Sequence, residues 1–186
     1  MKKLLFIFAL ILVSWSKDKD NIDPVIENPV YIHSNGITVK AHTWAEVGQW
    51  GEISGVTYKI VDENTLRTMV NNGEDVTKVC TTKVTNMSSL FKDTYFNENI
   101  GSWDVSNVTD MSSMFHDSHR FNIDLSRWDV SRVTNMNRTF YLAWVINLDL
   151  SDWQVNQVTD CKGFSSGTFA WTKEKPTFTN CEPKIN

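Results

Sequence analysis

One nine-residue motif recurs at a fixed period in the second half of the chain, and this recurrence constrains the fold more than any other feature. The motif reads Trp-Asp-Val-Ser-x-Val-Thr-x-Met where it begins at Trp103 and again, 25 residues later, at Trp128, and a weaker copy begins at Trp153. A fixed period between about 20 and 50 residues is typical of solenoid proteins, in which each unit stacks on the next. The recurrence therefore predicts a solenoid.

The residue types within one copy predict a short strand followed by a short helix. Trp128 and Val130 lie two positions apart, so their side chains would leave the same face of a strand. Thr134 can cap a short helix, with Met136 and Phe140 at positions i and i+4 of its inner face. We therefore predict an α/β fold, a leucine-rich-repeat-like solenoid with one short strand and one short helix per 25-residue repeat. The recurring apolar positions predicted to form its core are Trp103, Val105, Val108, Met111, Phe115, Phe121, Trp128, Val130, Val133, Met136, Phe140, Trp153, Val155 and Val158.

An export signal is predicted over residues 1–15. Lys2 and Lys3 precede ten apolar residues, 4–13, a run that is too short for a transmembrane helix but has the length of a signal-peptide core. The segment resembles a bacterial lipoprotein signal, in which a Cys receives the lipid, but Trp15 stands where that Cys is expected. The sequence leaves open whether Trp15 replaces a lipidated Cys or the protein is secreted without a lipid.

The rest of the chain divides into three predicted parts. Residues 16–29 are polar, contain two Pro and lack periodicity, which is typical of a flexible tether. Asn35-Gly36 lies between two β-rich runs and predicts a hairpin, so we interpret residues 30–62 as a β-rich N-terminal cap on the solenoid. Residues 63–186 would then form the repeat solenoid with a degenerate C-terminal cap.

The motif and the residues ahead of it resemble a known family. The repeated Trp-Asp-Val-Ser-x-Val-Thr-x-Met, preceded by Tyr58-x-Ile60-Val61-Asp62, is similar to the BspA-like leucine-rich-repeat surface proteins of bacteria. The resemblance covers roughly residues 55–165. It implies an exported protein at the cell surface, in the outer membrane or outside the cell. Because some members of that family are adhesins, it also implies cell adhesion and protein binding.

A ligand-binding face is predicted on the outer side of the predicted strands, because solenoid sheets serve as extended recognition surfaces. The predicted function is that of a non-enzymatic cell-surface or secreted binding module, an adhesin for a protein or glycan ligand. Two alternatives stay open: the polar face simply meets water, or the protein is a structural spacer or a subunit of a surface assembly. The polar residues predicted to form this face are Asp104, Ser106, Asp129, Ser131, Arg132, Gln154 and Asn156.

Several other functions are not expected. The sequence contains no Ser/His/Asp or Cys/His arrangement that suggests catalysis, so neither an enzyme nor a cofactor is predicted. A net charge of −4 argues against a nucleic-acid partner, and a membrane would be reached only through the N-terminal signal or a lipid anchor. His116 and His119 could form a metal-binding pair, but coordination needs three or four convergent ligands. We therefore prefer a variable outer loop there and predict no metal site.

The three cysteines, Cys80, Cys161 and Cys181, allow one disulfide in an exported protein. Cys161 takes a Met position of the motif and should face inward, while Cys181 lies one layer further on. Cys80 aligns with Asp104 on the outer strand face, too far away to pair with either. The candidate disulfide is therefore Cys161–Cys181, and the alternative for Cys161 is a buried small apolar residue.

Overall fold

The computed structural model describes residues 27–184. The export signal predicted for residues 1–15, the question of lipidation at Trp15, and residues 16–26 of the predicted tether therefore lie outside the described part of the chain.

The first sheet is a two-stranded hairpin near the start of the described chain. Strands β1 (Val30–Ile32) and β2 (Val39–Ala41) pair antiparallel. The side chain of Asn35 closes the loop between them, because its Oδ1 accepts a hydrogen bond from the backbone N–H of Thr38 at 3.0 Å. Gly36 takes a φ of 76°, a left-handed conformation that glycine adopts without steric cost. The Asn-Gly pair thus lies at the tip of a hairpin.

The second sheet combines an antiparallel hairpin with one parallel strand. Strand β3 (Trp50–Ile53) pairs antiparallel with β4 (Val56–Ile60), and β4 pairs parallel with β5 (Val79–Cys80). Ser54 and Gly55 connect β3 to β4 with φ angles of 51° and 81°. A two-residue turn with both φ angles positive matches the right-handed twist of the strands that it joins.

One helix occurs among the described residues, α1 (Glu63–Asn72), and it connects β4 to β5. Asp62 caps its N-terminus, because the Asp62 carboxylate accepts a hydrogen bond from the backbone N–H of Thr65 at 2.8 Å. Gly73 ends the helix in a left-handed conformation with a φ of 68°. Leu66 is the buried residue of the helix and anchors it to the core.

The predicted fold class is wrong. An α/β solenoid with one short strand and one short helix per repeat requires such units throughout the second half of the chain, but residues 81–184 contain neither a helix nor a multi-residue strand. We call these residues the turn-rich region. The described chain instead consists of two small sheets, one helix and this region. Single-residue parallel bridges occur within it and join Asn86 to Asp110, Asp110 to Asn135, and Asn135 to Asp160.

The helix predicted in each repeat does not form because left-handed residues interrupt it. Ser113 and Asp117 both have a φ of 55°, outside the right-handed region that a helix requires. The N–H groups that would close a helix point elsewhere: that of Phe115 donates to the carbonyl of Thr139 at 2.8 Å. The N–H of Met114 donates to the carbonyl of Met111 at 3.2 Å, three residues earlier and not the four that an α-helix requires. Apolar residues three or four apart are therefore buried by consecutive turns, not by a helix.

The predicted strands fail for a related reason, because tight turns close on both sides of the motif. The N–H of Trp128 donates to the carbonyl of Leu125, and the N–H of Val133 donates to that of Val130, both at 3.0 Å. Each bond joins residues three apart and so closes a β-turn. Only residues 128–130 remain between these turns, which is too short for a paired strand.

The core of the turn-rich region is nevertheless built from the recurring apolar positions. Every residue predicted for the core, from Trp103 to Val158, is buried. Equivalent rings stack on one another: the Trp103 and Trp128 rings lie 6.5 Å apart at an angle of 4°, and those of Phe115 and Phe140 lie 5.3 Å apart at 2°. The period therefore sets which side chains are buried together, although the backbone that carries them is not the predicted one.

The indole N–H groups fasten each copy of the motif to the segment before it. The Nε1 atom of Trp128 donates to the carbonyl of Ile100 at 3.3 Å, and that of Trp153 donates to the carbonyl of Leu125 at 3.0 Å. A buried indole N–H needs such a partner, because an unpaired donor in the core is costly. Tryptophan at this position thus supplies both apolar bulk and a link between segments.

Candidate binding surface

Asp104 does not lie on an open binding face, contrary to prediction. Its side chain is only 1% exposed, because hairpin β1–β2 covers this part of the turn-rich region. Its carboxylate accepts hydrogen bonds from the hydroxyls of Thr82 at 2.7 Å and Ser106 at 2.6 Å, and the Nζ atom of Lys40 on β2 lies 3.4 Å away. Asp104 therefore joins the hairpin to the turn-rich region and is not available to a ligand.

Ser106 is also part of this junction. Its hydroxyl accepts a hydrogen bond from Lys40 Nζ at 2.9 Å, and its side chain is half-buried. Nearby, the backbone N–H of Val39 donates to the carbonyl of Ser102 at 2.9 Å. The alignment of repeats cannot reveal this contact, because the hairpin that makes it lies outside the repeats.

The remaining predicted binding residues are exposed, but the structure uses most of their polar groups internally. The carboxylate of Asp129 accepts hydrogen bonds from the backbone N–H of Ser131 at 3.1 Å and from its hydroxyl at 2.6 Å. Arg132 donates to a side-chain oxygen of the preceding copy at 3.0 Å, and Gln154 donates to a backbone carbonyl at 3.2 Å. Asn156 accepts at its backbone carbonyl from a side chain near the C-terminus at 2.7 Å.

Aspartate followed two residues later by Ser or Thr forms the same small turn elsewhere in the chain. Such a side chain bonds its own backbone two residues on and so defines an Asx-turn. Hydrogen bonds from Thr77 hold the pKa of Asp75 below its usual value, and hydrogen bonds from Ser151 lower the pKa of Asp149 in the same way. The acidic residues of the motif therefore have a structural role before any role in recognition.

A row of aromatic side chains, three of them exposed and His119 half-buried, runs along a different side of the turn-rich region. Tyr95, His119, Trp144 and Phe169 follow one another at intervals of 24 or 25 residues, and we call them the aromatic edge. Tyr95 is 68% exposed, Trp144 51% and Phe169 85%. The His119 ring lies 6.0 Å from that of Tyr95 and 4.9 Å from that of Trp144. The guanidinium of Arg120 lies over the Tyr95 ring at 5.3 Å.

Sequence reasoning named Trp144, with Tyr141, only as part of an alternative binding face in the outer loops and did not identify the aromatic edge, because its members lie in the loops that vary between copies. The motif itself is well preserved from copy to copy, so it dominates any alignment of the repeats. The available signal was the recurrence of a ring side chain at one loop position in successive copies. Large exposed aromatic residues in a row are more informative than an exposed polar face, which any soluble protein has.

Asp93, His116 and Asp117 form a cluster close to the aromatic edge. Their potential ligand atoms all lie within 4.8 Å of one another. Burial lowers the pKa of His116, and the nearby Lys92 adds to this effect. The Nε2 atom of His119 lies 3.9 Å from a carboxylate oxygen of Asp117, so the second predicted histidine is close to the cluster.

A cleft with a volume of about 510 Å³ lies beside the second sheet and α1. Trp50 on β3 and Lys59 on β4 line this cleft, and so do Asp75 and Lys78 in the segment between α1 and β5. The Asp75 carboxylate is engaged by the hydroxyl of Thr77 at 2.6 Å and lies 3.6 Å from the Lys78 amine. This carboxylate is therefore occupied by local contacts.

The structure joins Cys161 and Cys181 in a disulfide, with 5.9 Å between their Cα atoms. Cys161 is buried, and the bond fastens the last residues of the described chain to the turn-rich region. The alignment with Asp104 predicts that Cys80 lies on an outer face, and this prediction is wrong. Hairpin β1–β2 covers both residues, so both are buried. The Sγ atom of Cys80 lies 3.5 Å from the carbonyl oxygen of Val39, and burial raises the pKa of the thiol.

The profile of a family described as "Mycoplasma protein of unknown function, DUF285" matches residues 61–177, which is more than half of the chain. The chain therefore belongs to this family, and the match gives a coarse link to the BspA-like surface proteins. No curated protein and no solved structure matches the chain. Among residues 27–184, no helix has the length and apolar character needed to cross a bilayer.

Proposed function

We propose that this protein is a non-enzymatic binding module displayed at a cell surface, and that it binds its protein or glycan ligand through the aromatic edge. The observation that carries the proposal is the exposure of Tyr95, Trp144 and Phe169, which occupy the same loop position in three of four successive copies of the repeat. Tyr and Trp are enriched at the centres of interfaces, where they bury large areas at low entropic cost. A row of such rings in contact with water is an unusual feature for a soluble surface.

This choice of surface replaces the polar face inferred from the sequence. Asp104 is buried, and the polar groups of Asp129 and Ser131 are already bonded to one another. A ligand at that face would have to displace these local bonds and would gain little in exchange. At the aromatic edge a ligand would cover exposed apolar surface without breaking any bond of this kind.

Display at the surface is supported by the resemblance to surface proteins and by the family match. The residues around the motif resemble those of BspA-like surface proteins, and the family match is compatible with that resemblance. The predicted export signal is a third argument from the sequence. Treatment of intact cells with an external protease should degrade the protein, whereas a cytoplasmic control should survive. Full protection of both proteins would contradict surface display.

Binding should be tested with the double variant Trp144→Ala, Phe169→Ala and with a matched double variant of the polar face, Asp129→Ala, Ser131→Ala. Both pairs are exposed, so both variants should keep the circular-dichroism spectrum of the unchanged protein. Panels of extracellular-matrix proteins and of glycans would be scanned first with the unchanged protein.

For any ligand found, the aromatic double variant should bind at least about tenfold more weakly, because interface aromatics often contribute about 2 kcal/mol each. The polar double variant should bind within about twofold of the unchanged protein, since rim residues contribute little. Loss of binding in the polar variant alone would contradict the proposal and indicate that the ligand binds the polar face. Competition by a free oligosaccharide would distinguish a glycan from a protein ligand.

A further inference from the structure

We propose that Asp93, His116 and Asp117 form a binding site for a divalent transition-metal ion, with Zn²⁺ as the best-matched ion. One imidazole and two carboxylates converge there, with their potential ligand atoms within 4.8 Å of one another. The sequence analysis considers only the two histidines of this loop, whereas the structure brings His116 and Asp117 of the loop into the cluster. The third ligand comes from the preceding copy of the repeat, 23 residues before His116. This inference does not rest on the proposed binding function.

The backbone holds the two carboxylates at equivalent positions of adjacent segments. Asp93 and Asp117 both adopt left-handed conformations, with φ angles of 57° and 55°. Aspartate tolerates this region better than most residues with a side chain. The backbone N–H of Asp93 also donates to the carbonyl of His116 at 2.8 Å, which fixes the two segments against each other. The next equivalent position is Leu142, so the row of carboxylates ends after two residues.

The charges around the site favour a cation. Two carboxylates at this separation repel each other unless a positive charge lies between or beside them. The Nζ atom of Lys92 lies 3.9 Å from a carboxylate oxygen of Asp93, but both side chains are substantially exposed and the lysine is flexible. The guanidinium of Arg138 lies over the Tyr141 ring at 5.5 Å. A bound dication would therefore compete chiefly with Lys92.

The donor set indicates the class of ion. A neutral imidazole suits Zn²⁺, Cu²⁺ and Ni²⁺, and carboxylate oxygens complete many zinc sites. Three protein ligands would leave a coordination position for water. His119 lies beside Asp117, with Nε2 at 3.9 Å from its carboxylate, where it would orient a ligand without being one. The Nδ1 atom of His119 is buried and makes no hydrogen bond within the described structure.

The test is titration of the full chain with ZnCl₂ in a non-coordinating buffer, followed by calorimetry. We expect saturable binding of a single ion per chain. His116→Gln and Asp93→Asn should each weaken binding at least about tenfold. The matched controls His33→Gln and Asp129→Asn change the same residue types elsewhere and should leave the affinity unchanged. Lys92→Met should tighten binding, because it removes the competing amine.

A second measurement keeps the test valid if a ligand variant is unstable. In the unchanged protein, Zn²⁺ should shift the ring-proton NMR signals of His116 and leave those of His33 and His42 in place. Equal affinity of the His116→Gln variant and the unchanged protein would overturn the proposal. It would also be overturned by shifts confined to His33 or His42, by the absence of saturable binding, or by tighter binding of Ca²⁺ than of Zn²⁺.

Discussion

Residues 30–80 and the turn-rich region form the hydrogen bonds of their backbone groups in different ways. Residues 30–80 use ordinary elements: β1 to β5 pair in two sheets, and α1 has a capped start and a glycine end. In the turn-rich region, many N–H groups instead donate to the segment one repeat away, as Phe91 does to Met114 at 2.9 Å and Phe115 does to Thr139 at 2.8 Å. Regular secondary structure is therefore one way to satisfy buried backbone groups, and contact between consecutive turns is another.

The comparison also shows where stability should come from in each part. A helix or hairpin draws on contacts near in sequence, whereas a turn such as Met111–Ser118 depends on backbone hydrogen bonds to neighbours 23 or 24 residues away. Damage to one segment of the turn-rich region should therefore weaken both adjacent segments. Damage to an exposed strand residue of the first part should remain local.

The largest expected effect is that of Trp128→Ala. The Trp128 ring stacks on Trp103 at 6.5 Å and its Nε1 atom bonds the Ile100 carbonyl, so truncation leaves a cavity and removes this bond between the two segments. The free energy of unfolding should fall by about 3–5 kcal/mol, measured by urea denaturation. Trp50→Ala is the matched control, since Trp50 is 59% exposed on β3. Equal losses in the two variants would contradict the distinction between the two parts.

Removal of the disulfide should have the next largest effect. Cys161 and Cys181 are separated by 20 residues in sequence, and closing a loop of this size stabilises a protein by about 3 kcal/mol. The double variant Cys161→Ser, Cys181→Ser should show this loss in chemical denaturation. A reducing agent should lower the stability of the unchanged protein and leave that of the variant unaltered. A reductant effect of the same size on both proteins would point to some other cause.

A smaller loss is expected from Lys40→Met, which tests the junction between the two parts. The change leaves the buried Asp104 carboxylate without its cationic partner, and hydrogen bonds to charged groups contribute about 1.5–3 kcal/mol. Lys78→Met is the control, because Lys78 and Asp75 are both more than half exposed. Such exposed pairs contribute at most about 1 kcal/mol. Thermal unfolding compares the two variants directly. Similar melting points would contradict a stabilising role for Lys40 at the junction.

The smallest effect should come from the cap of α1. Asp62→Ala should cost about 1 kcal/mol at neutral pH. Hydrogen bonds from Thr65 lower the pKa of Asp62 in the folded protein, so its contribution exists above the pKa of the unfolded chain, about 3.9. It is lost as the pH falls through the lower, folded-state pKa. Denaturation at several pH values should therefore show the gap between variant and unchanged protein closing in acid. A gap that widens would contradict this assignment.

Periodicity in the sequence carries information about side chains more than about backbone. Recurring Trp, Val, Met and Phe indicate which positions are buried, and Trp103 and Trp128 do stack. It does not reveal that Ser113 takes a left-handed conformation, because serine has no strong preference for one. An apolar residue at every third or fourth position then predicts a helix where consecutive turns exist.

The candidate sites were harder to predict for a different reason, since each depends on contacts between distant segments. Asp104 aligns with the exposed Asp129, and only the packing of hairpin β1–β2 distinguishes the two environments. Asp93 and His116 come from different copies of the repeat and meet only once the copies lie side by side. An alignment compares equivalent positions, so it does not register a contact between non-equivalent ones.

The left-handed residues of the turn-rich region also set how this surface can vary during evolution. Ser89 and Arg138 are exposed and have φ angles of 56° and 54°, while Gly163 has the equivalent conformation with a φ of 70°. Solvent exposure normally permits almost any replacement, but Val, Ile and Thr are strongly disfavoured in this conformation. Backbone conformation should therefore limit which substitutions are tolerated at these positions. Charged residues, polar residues and glycine should be accepted, whereas β-branched residues should be eliminated by selection.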